Sequence, residues 1–347
     1  MADTIHLIGP AASCSRFLLA VGADSGDAFV EMVQSAVGQG FRITADEALL
    51  EATEDDEHGG RCDDARRAED IERALADDDV VALLAVRGGA WFSRILPRID
   101  FSVLDRRRRR VAVFGFSELT TLVNIVGSHD RGVGVYDMGP AFLSYGLRRR
   151  AELDGVTCPD GATSVDDWVA GRLAAEFRSY LSDVAAILKG EGSTRRVTAR
   201  LALGELPDRF EASFVGGNLV VLTTLVGSRF DQCVRPANRW MVLEEINEKP
   251  ERIDRFLAHL TLAGFWDTCA GVLLGDFHRK QRQLSRAVVK LLKYHLPPDR
   301  AIPVLITEQV GHVWPMSPLP LHETLTLTRE RDESFSFRGS VISAVRP

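Results

Sequence analysis

The sequence predicts an α/β protein in two parts, an N-terminal parallel-sheet α/β domain followed by a C-terminal β-rich α+β domain. Three observations carry this. The chain has 347 residues, more than one hydrophobic core comfortably organises. Its first half repeats short, continuous apolar runs with helical patterns between them, the pattern of strands buried on both faces of a parallel sheet. From Val197 onward the texture turns toward strands.

Each element follows from its residues. Ile5-His6-Leu7-Ile8, stopped by Gly9-Pro10, reads as a short, mostly buried strand and a turn. Phe29 to Val37 has helical spacing, Phe41-Arg42-Ile43 is the next strand, and the acidic, glycine-containing stretch Glu51 to Asp64 is a loop. Arg66 to Ala76 is a charged amphipathic helix. Val80 to Val86 and Val111 to Phe114 are continuous apolar runs of strand length, ending at Arg87-Gly88-Gly89 and at Gly115-Phe116-Ser117. Functional loops of such sheets sit at the carboxyl ends of the strands, where both glycine turns fall.

Asp166 to Leu188 reads as a helix and Gly190 to Ser193 as a hinge. Beyond them come strands at Val197 to Leu203, Met241-Val242-Leu243, Gly271 to Leu274 and Ile302 to Ile306, a turn at Gly216-Gly217, and a helix from Arg252 to Ala263. The division is therefore residues 1–165 for the α/β domain, 166–196 for a helix and linker, and 197–347 for the β-rich domain.

Composition narrows the class of function. Hydrophobic residues at 45% and charged residues at 26% describe a globular chain. A net charge of -7 argues against nucleic acid as a partner, since a basic domain is the usual footprint. The arginine runs Arg106 to Arg110 and Arg148 to Arg150 qualify that; the first reads as a solvated turn entering a strand. Five scattered cysteines with no CxxC pair favour neither a disulfide framework nor a zinc knuckle. With no targeting segment and no apolar run long enough to span a bilayer, the expectation is a cytoplasmic protein without a membrane partner. No HExxH or comparable ligand spacing is present, so no metal or other cofactor is expected.

Ser117 is the first candidate for chemistry. A serine on a sharp turn between an apolar strand and the helix Leu119 to Val126 projects its hydroxyl above the sheet edge, with the Glu118 amide at the helix start. The plainer reading of the same residues is a helix N-cap. Gly88 and Gly89 allow backbone amides to approach a ligand closely. A serine nucleophile needs a base, usually a histidine held by a carboxylate. Of eight histidines, His312 stands out, after a strand-like run and Gly311, in a loop with Trp314 and three prolines. His58 lies in an acidic loop, His129 in a polar turn and His259 on a helix. The carboxylate candidates are Glu244 and Glu245. Neighbours in a strand point to opposite faces, so only one of them can face a given site.

Taken in order, Arg87-Gly88-Gly89, Gly115-Phe116-Ser117-Glu118-Leu119-Thr120, Gly216-Gly217-Asn218-Leu219, Leu243-Glu244-Glu245-Ile246 with Arg252-Ile253-Asp254-Arg255, and Gly311-His312 resemble the LD-carboxypeptidase family of serine peptidases. That family includes muramoyl-tetrapeptide carboxypeptidase and the microcin-immunity peptidases. The resemblance runs from Ile8-Gly9-Pro10 to about Thr328. It implies Ser117 as nucleophile, Glu244 as orienting acid, His312 as base, and backbone oxyanion donors at Gly89 and Glu118, in a site between the two domains. Arg87, Gly88 and Trp91 are the further candidates for binding substrate, and Trp91 and Trp314 are available for stacking. It also implies a homodimer and a small peptide substrate, a muropeptide losing its terminal D-alanine in cell-wall recycling. The family's other branch implies a peptidyl or aminoacyl nucleotide instead, and a third possibility is a catalytically silent muropeptide-binding protein.

The sequence departs from the family pattern at four places. Glu118 stands for the usual Asp, Ala90-Trp91 for an aromatic directly after Arg-Gly-Gly, Met138-Gly139-Pro140 for His-Gly-Pro, and Leu319-Pro320-Leu321-His322 for Leu-Pro-x-Gly. None removes Ser117, Glu244 or His312, so hydrolysis survives the departures while the substrate does not follow.

Overall fold

The structure, a computed structural model, describes residues 2–55, 59–153, 164–193, 195–280 and 282–339. His58 and Cys158 lie outside them. The first part is built on parallel strands β1 (Asp3–Ile8), β2 (Phe41–Ala45), β3 (Val80–Ala85), β4 (Val111–Gly115) and β5 (Gly132–Tyr136), in the spatial order β5-β4-β3-β1-β2. Every residue of β3, β4 and β5 is buried, which is why these runs are apolar throughout rather than alternating. The connecting helices are α1 (Ser15–Ala20), α2 (Gly26–Val37), α3 (Glu47–Glu51), α4 (Asp64–Ala76), α5 (Thr120–Gly127), α6 (Phe142–Leu153) and α7 (Val165–Leu188). Local chemistry sets their ends. The Ser25 hydroxyl accepts from the Ala28 amide at the start of α2, and Gly38 at φ 81° closes it. Ser164 caps α7 the same way, accepting from Asp167.

The second part holds β6 (Thr198–Leu203), β7 (Arg209–Asn218), β8 (Trp240–Ile246), β9 (Gly271–Arg279), β10 (Arg282–Gln283), β11 (Val304–Ile306), β13 (Thr324–Arg329) and β14 (Ser334–Arg338), with β12 (Leu319–Leu321) discussed below. Helices α8 (Leu219–Thr223), α9 (Pro250–Leu262) and α10 (Ser285–His295) pack around them. The order is β10-β9-β11-β6-β14-β13-β7-β8, and β8 also pairs with β9, so the sheet closes on itself. The α/β class and the strand-rich second part are thus both present.

Three local expectations change. Gly216 and Gly217 form no turn; they are residues of β7, at φ 116° and 141°. A Cβ at Gly216 would stand 2.3 Å from the Val242 carbonyl oxygen, and one at Gly217 2.6 Å from the Tyr136 ring. Glycine permits close approach of two backbones at Gly216 and leaves room for the Tyr136 ring at Gly217; at neither place does it reverse the chain. Leu319-Pro320-Leu321 is not loop. It returns to the first sheet as β12, antiparallel to β5, at the edge where a proline is tolerated. Finally, the arginine run is only partly solvated. Arg107 is buried, donating to the carbonyls of Leu75, Asp77, Val80 and Arg109, while Arg110 bonds Glu323 just beyond β12.

Helix α5 joins the two sheets. Every residue of it is buried, as its apolar sequence requires. Asn124 pairs with the Gly216 backbone in both directions, at 2.8 and 2.9 Å, and the Thr120 hydroxyl accepts from the Asn218 amide at 3.0 Å. The helix that follows Ser117 is therefore bolted to β7, the neighbour of β8. No helix among the described residues is long and apolar enough to cross a membrane.

Candidate functional site

Strand β4 delivers Ser117 onto a one-turn 3-10 helix, Ser117–Leu119. Ser117 takes φ 58°, a left-handed conformation that costs a non-glycine residue about 1–2 kcal/mol and lifts its side chain clear of the sheet. Gly88 lies directly against it: a Cβ there would be 3.5 Å from Ser117 Cβ. Gly89, at φ 109°, presses on Ala12, where a Cβ would come within 2.7 Å of the alanine methyl.

Strand β8 brings Glu244. Its pairing with β9 shifts register between Leu243 and Glu245, and two glycines flank the carboxylate, Gly275 and Gly311. His312 follows Gly311, which has φ 108°. Its Nδ1 stands 2.7 Å from Glu244 Oε2 and its Nε2 3.1 Å from Ser117 Oγ. The ionised carboxylate accepts from Nδ1–H, leaving Nε2 to accept the serine proton. Phe116 and Phe142 wall the imidazole at ring separations of 4.9 and 5.7 Å, and Arg149 donates to the His312 carbonyl. Burial works against the imidazolium. The facing Glu244 charge, with Glu245 and Asp276 behind it, outweighs burial and holds the His312 pKa above the ordinary histidine value.

Glu244 and Glu245 separate as alternation requires. Glu244 faces His312, while Glu245 turns to the opposite side and accepts from the amides of Val220 and Ile246. Burial, then the neighbouring Glu244 charge, pushes the Glu245 carboxyl up to about 7.

Sequence reasoning missed Tyr136. At the end of β5 and fully buried, its hydroxyl donates to Glu244 Oε1 at 2.7 Å and accepts from the Ser117 amide at 3.3 Å. One phenol thus ties the serine turn to the carboxylate and holds the half of Glu244 that His312 does not use. Burial and the adjacent carboxylate push its pKa well above the usual value, so it stays a donor. An aromatic at the carboxyl end of a strand was the only available signal.

Ser117, His312, Arg87, Gly88 and Gly89 share a cleft of about 360 Å³ with Arg16, Tyr145 and other side chains, within the usual range for a small-molecule site. Trp91 does not join them. Its ring lies over Gly60, with the Arg94 guanidinium 5.2 Å from its centre. Trp314 packs against Gly146 and is likewise absent from the cleft lining, whose aromatic rings are Phe17, Phe116, Phe142 and Tyr145. Glu118 contributes its backbone beside Ser117, while its side chain holds the Phe92-Ser93 backbone. His129 pairs with Asp105. Among the described residues, no group of three or more His, Cys, Asp or Glu is placed to hold a metal ion.

A hydroxyl on a strained turn, a histidine raised in basicity and a buried carboxylate can together generate and quench an oxygen nucleophile. Comparison with known proteins identifies the family of the chain. The LD-carboxypeptidase N-terminal domain model matches residues 5–136, and the C-terminal domain model matches residues 211–327. A probable murein peptide carboxypeptidase of Bacillus subtilis (strain 168) is 27% identical over 324 residues, covering 92% of this chain and 86% of that protein. The murein tetrapeptide carboxypeptidase of Pseudomonas aeruginosa is 26% identical over 244 residues, 67% of this chain and 71% of the relative. Among solved structures, MccF in complex with glutamyl sulfamoyl guanosine superposes with a TM-score of 0.67 at 17% identity, covering 99% of this chain and 97% of the other. A MccF-like protein from Bacillus anthracis gives 0.65 at 15% identity, covering 97% and 96%. With both domain models matched in order and one curated relative aligned over 92% of its length, the chain belongs to the LD-carboxypeptidase family.

Proposed function

We propose that this protein is a serine peptidase that hydrolyses the amide bond to the C-terminal D-alanine of a murein tetrapeptide. The observation that carries the reading is the continuous hydrogen-bonded chain Ser117 Oγ, His312 and Glu244, at 3.1 and 2.7 Å, opening into the cleft. Ser117 Oγ attacks the amide carbonyl as His312 Nε2 takes its proton. The same proton passes to the departing D-alanine nitrogen, leaving an ester on Ser117. Water then attacks the ester with His312 again as base, releasing the shortened peptide and restoring the hydroxyl. Glu244 fixes the imidazole tautomer and steadies its charge, held in turn by Tyr136. The amides of Glu118 and Gly89 are the assigned donors to the oxyanion. Such a donor contributes about 3 kcal/mol in enzymes of this mechanism.

The murein substrate is supported by the names of the curated relatives. The rings of Phe17, Phe116, Phe142 and Tyr145 also line the cleft, and a nucleobase stacks on phenyl and phenol faces as well as on an indole. This lining supports the second reading, an aminoacyl nucleotide, and the test below separates the two.

The test is D-alanine release from purified murein tetrapeptide, wild type beside Ser117→Ala, with a chelator present. Release by the wild type and a fall of at least ~10³-fold in the variant are expected. Failure of well-folded wild type to release D-alanine, together with cleavage of an aminoacyl sulfamoyl adenylate, would move the assignment to the family's nucleotide-cleaving branch. Binding of the tetrapeptide without turnover of either compound would make the protein a silent muropeptide binder.

A further inference from the structure

Glu118 follows Ser117 directly, and its side chain turns away from the cleft toward another loop. Its Oε1 accepts three hydrogen bonds: from the Phe92 amide at 3.1 Å, the Ser93 amide at 3.0 Å and the Ser93 hydroxyl at 3.1 Å. Three donors on one carboxylate oxygen make a strong, directional, charge-assisted grip. The gripped residues lie just beyond Arg87-Gly88-Gly89, separated from it only by Ala90 and Trp91.

That loop carries a left-handed backbone at two places. Trp91 takes φ 74°, a conformation a bulky side chain adopts only where its surroundings impose it. Gly89 is itself at φ 109°. On the near side the loop is held by Ala12, whose amide donates to the Gly88 carbonyl at 3.2 Å and whose methyl leaves no room for a Cβ on Gly89. Arg67 takes the Trp91 carbonyl at 3.1 Å. The far side is held by Glu118. The Gly88-Gly89 segment is therefore held between Ala12 on one side and, through Phe92 and Ser93, the Glu118 carboxylate on the other.

We propose that the Glu118 side chain is a positioning residue that fixes the two oxyanion amides relative to each other. The same residue supplies one amide, beside Ser117, and by its side chain sets the loop that carries the other, at Gly89. The inference rests on the oxyanion reading above. It also gives a physical account of a carboxylate at this place: a neutral apolar side chain of equal length would leave the Phe92 and Ser93 amides without this acceptor and let the Trp91 strain relax into the loop.

The test uses a fluorophosphonate, which needs no knowledge of the natural substrate. Ser117 Oγ bonds to phosphorus, fluoride leaves, the hydroxyl proton passes to His312, and the phosphonyl oxygen occupies the oxyanion position. The labelling rate of Glu118→Ala is expected to fall about 10- to 100-fold, with the melting temperature within a few degrees of wild type. Glu118→Gln, whose amide oxygen still accepts, is expected to fall only about 3-fold. With tetrapeptide the Glu118→Ala loss is expected in kcat, with KM within about 2-fold, a split that simple loss of folded protein does not produce. Wild-type labelling with an equal rate in Glu118→Ala overturns the inference and leaves the nucleophile reading standing. Absence of labelling in wild type overturns the nucleophile reading and this inference with it, so the wild-type lane tells the two failures apart. Should Glu118→Ala not fold, Glu118→Asp and Ser93→Ala decide. Slowing of about 3- to 10-fold supports the proposal, and wild-type rates for both overturn it.

Discussion

Two hydroxyl-imidazole-carboxylate chains stand in the walls of the same cleft. One runs Ser117, His312, Glu244; the other runs Tyr145, His278, Asp276. In each, a buried imidazole turns Nδ1 to a buried carboxylate and Nε2 to a hydroxyl that lines the cleft, at 3.1 Å for Ser117 and 3.2 Å for Tyr145. The differences lie at the ends. Among the described residues, Glu244 answers to His312 and the neutral Tyr136 hydroxyl, so its charge is spent on the imidazole. Asp276 is claimed by the Arg149 guanidinium on both oxygens and by Gln283 as well. Burial would raise its carboxyl, but His278 and Arg149 outweigh that and hold it below the usual carboxylate range. At the other end, burial pushes the Tyr145 phenol up from its ordinary value, whereas Ser117 stands on a strained turn beside Gly88 and Gly89. A histidine between a hydroxyl and a carboxylate is thus not in itself a nucleophile generator. The undivided carboxylate and the glycine-lined turn make one chain the candidate.

The largest expected effect breaks the first chain at its acid. Glu244→Gln should lower kcat about 10³- to 10⁴-fold, because an amide cannot hold the imidazole tautomer or balance its charge. The residual activity should also change its pH profile. A general base works deprotonated, so kcat/KM rises with pH through the His312 pKa, and the acid limb of the wild type should fall above 6.5, the ordinary histidine value from which His312 is raised. Without Glu244, burial prevails and the limb should move to lower pH. The parallel change Asp276→Asn should cost less than about 10-fold, since Arg149 retains its bond to the His312 carbonyl. Equal losses in the two variants would erase the distinction drawn above.

Next in size is a stability effect at Glu245, which also sharpens how much of the His312 shift belongs to Glu244. With its carboxyl raised from 4.5 to about 7, the folded protein keeps a proton that the unfolded chain releases near pH 4.5. The corresponding stability is present below pH 4.5, is lost as pH rises to about 7, and is level above. The shift corresponds to a loss of about 3 kcal/mol. Glu245→Gln removes the titration, so its stability relative to wild type should rise by that amount between pH 4.5 and 8, read by denaturant unfolding at both values. A constant difference across that range would show that Glu245 ionises normally.

The unequal legibility of the two parts has physical causes. Strands β1, β3 and β4 were readable because burial on both faces demands unbroken apolar runs. Strand β5 was not, although it carries Tyr136. Its alternate residues Gly132 and Gly134 are glycines because a Cβ there would come within 1.9 Å of the Val126 carbonyl oxygen and 2.0 Å of that of Val123, where α5 presses on the sheet. Close packing had removed the side chains that announce a strand. Strand β12 hid behind Pro320, which an edge position tolerates. Ser117 and Gly88-Gly89 declared themselves as strand-end turns, but the meeting of Ser117 with His312 spans 195 positions and no local spacing encodes it. The family resemblance named that pairing, and it also distinguished Glu244 from Glu245, which alternation alone could not. One departure from the family pattern became intelligible only in the backbone. His322, standing where the pattern has glycine, takes φ 63°, so this chain keeps a left-handed residue there without glycine.

The smallest expected effect is at Tyr145, and it is the most discriminating. Tyr145→Phe removes the terminal hydroxyl of the second chain and nothing else. His278 Nε2 then faces a cleft side chain that is 40% exposed, so water can take the place of the phenol and the buried imidazole is not left unsatisfied. The Asp276 and Arg149 contacts that brace α6 against β9 and the His312 loop remain intact. The variant should therefore melt within about 2 °C of wild type and keep kcat within about 3-fold. A fall of 10-fold or more in kcat at unchanged melting temperature would mean that the second chain acts on the reacting atoms. A rise in KM alone would instead place the Tyr145 hydroxyl against bound substrate. Only an unchanged pair of constants leaves the second chain where its divided carboxylate puts it, as a brace that keeps the His312 loop in register with Ser117.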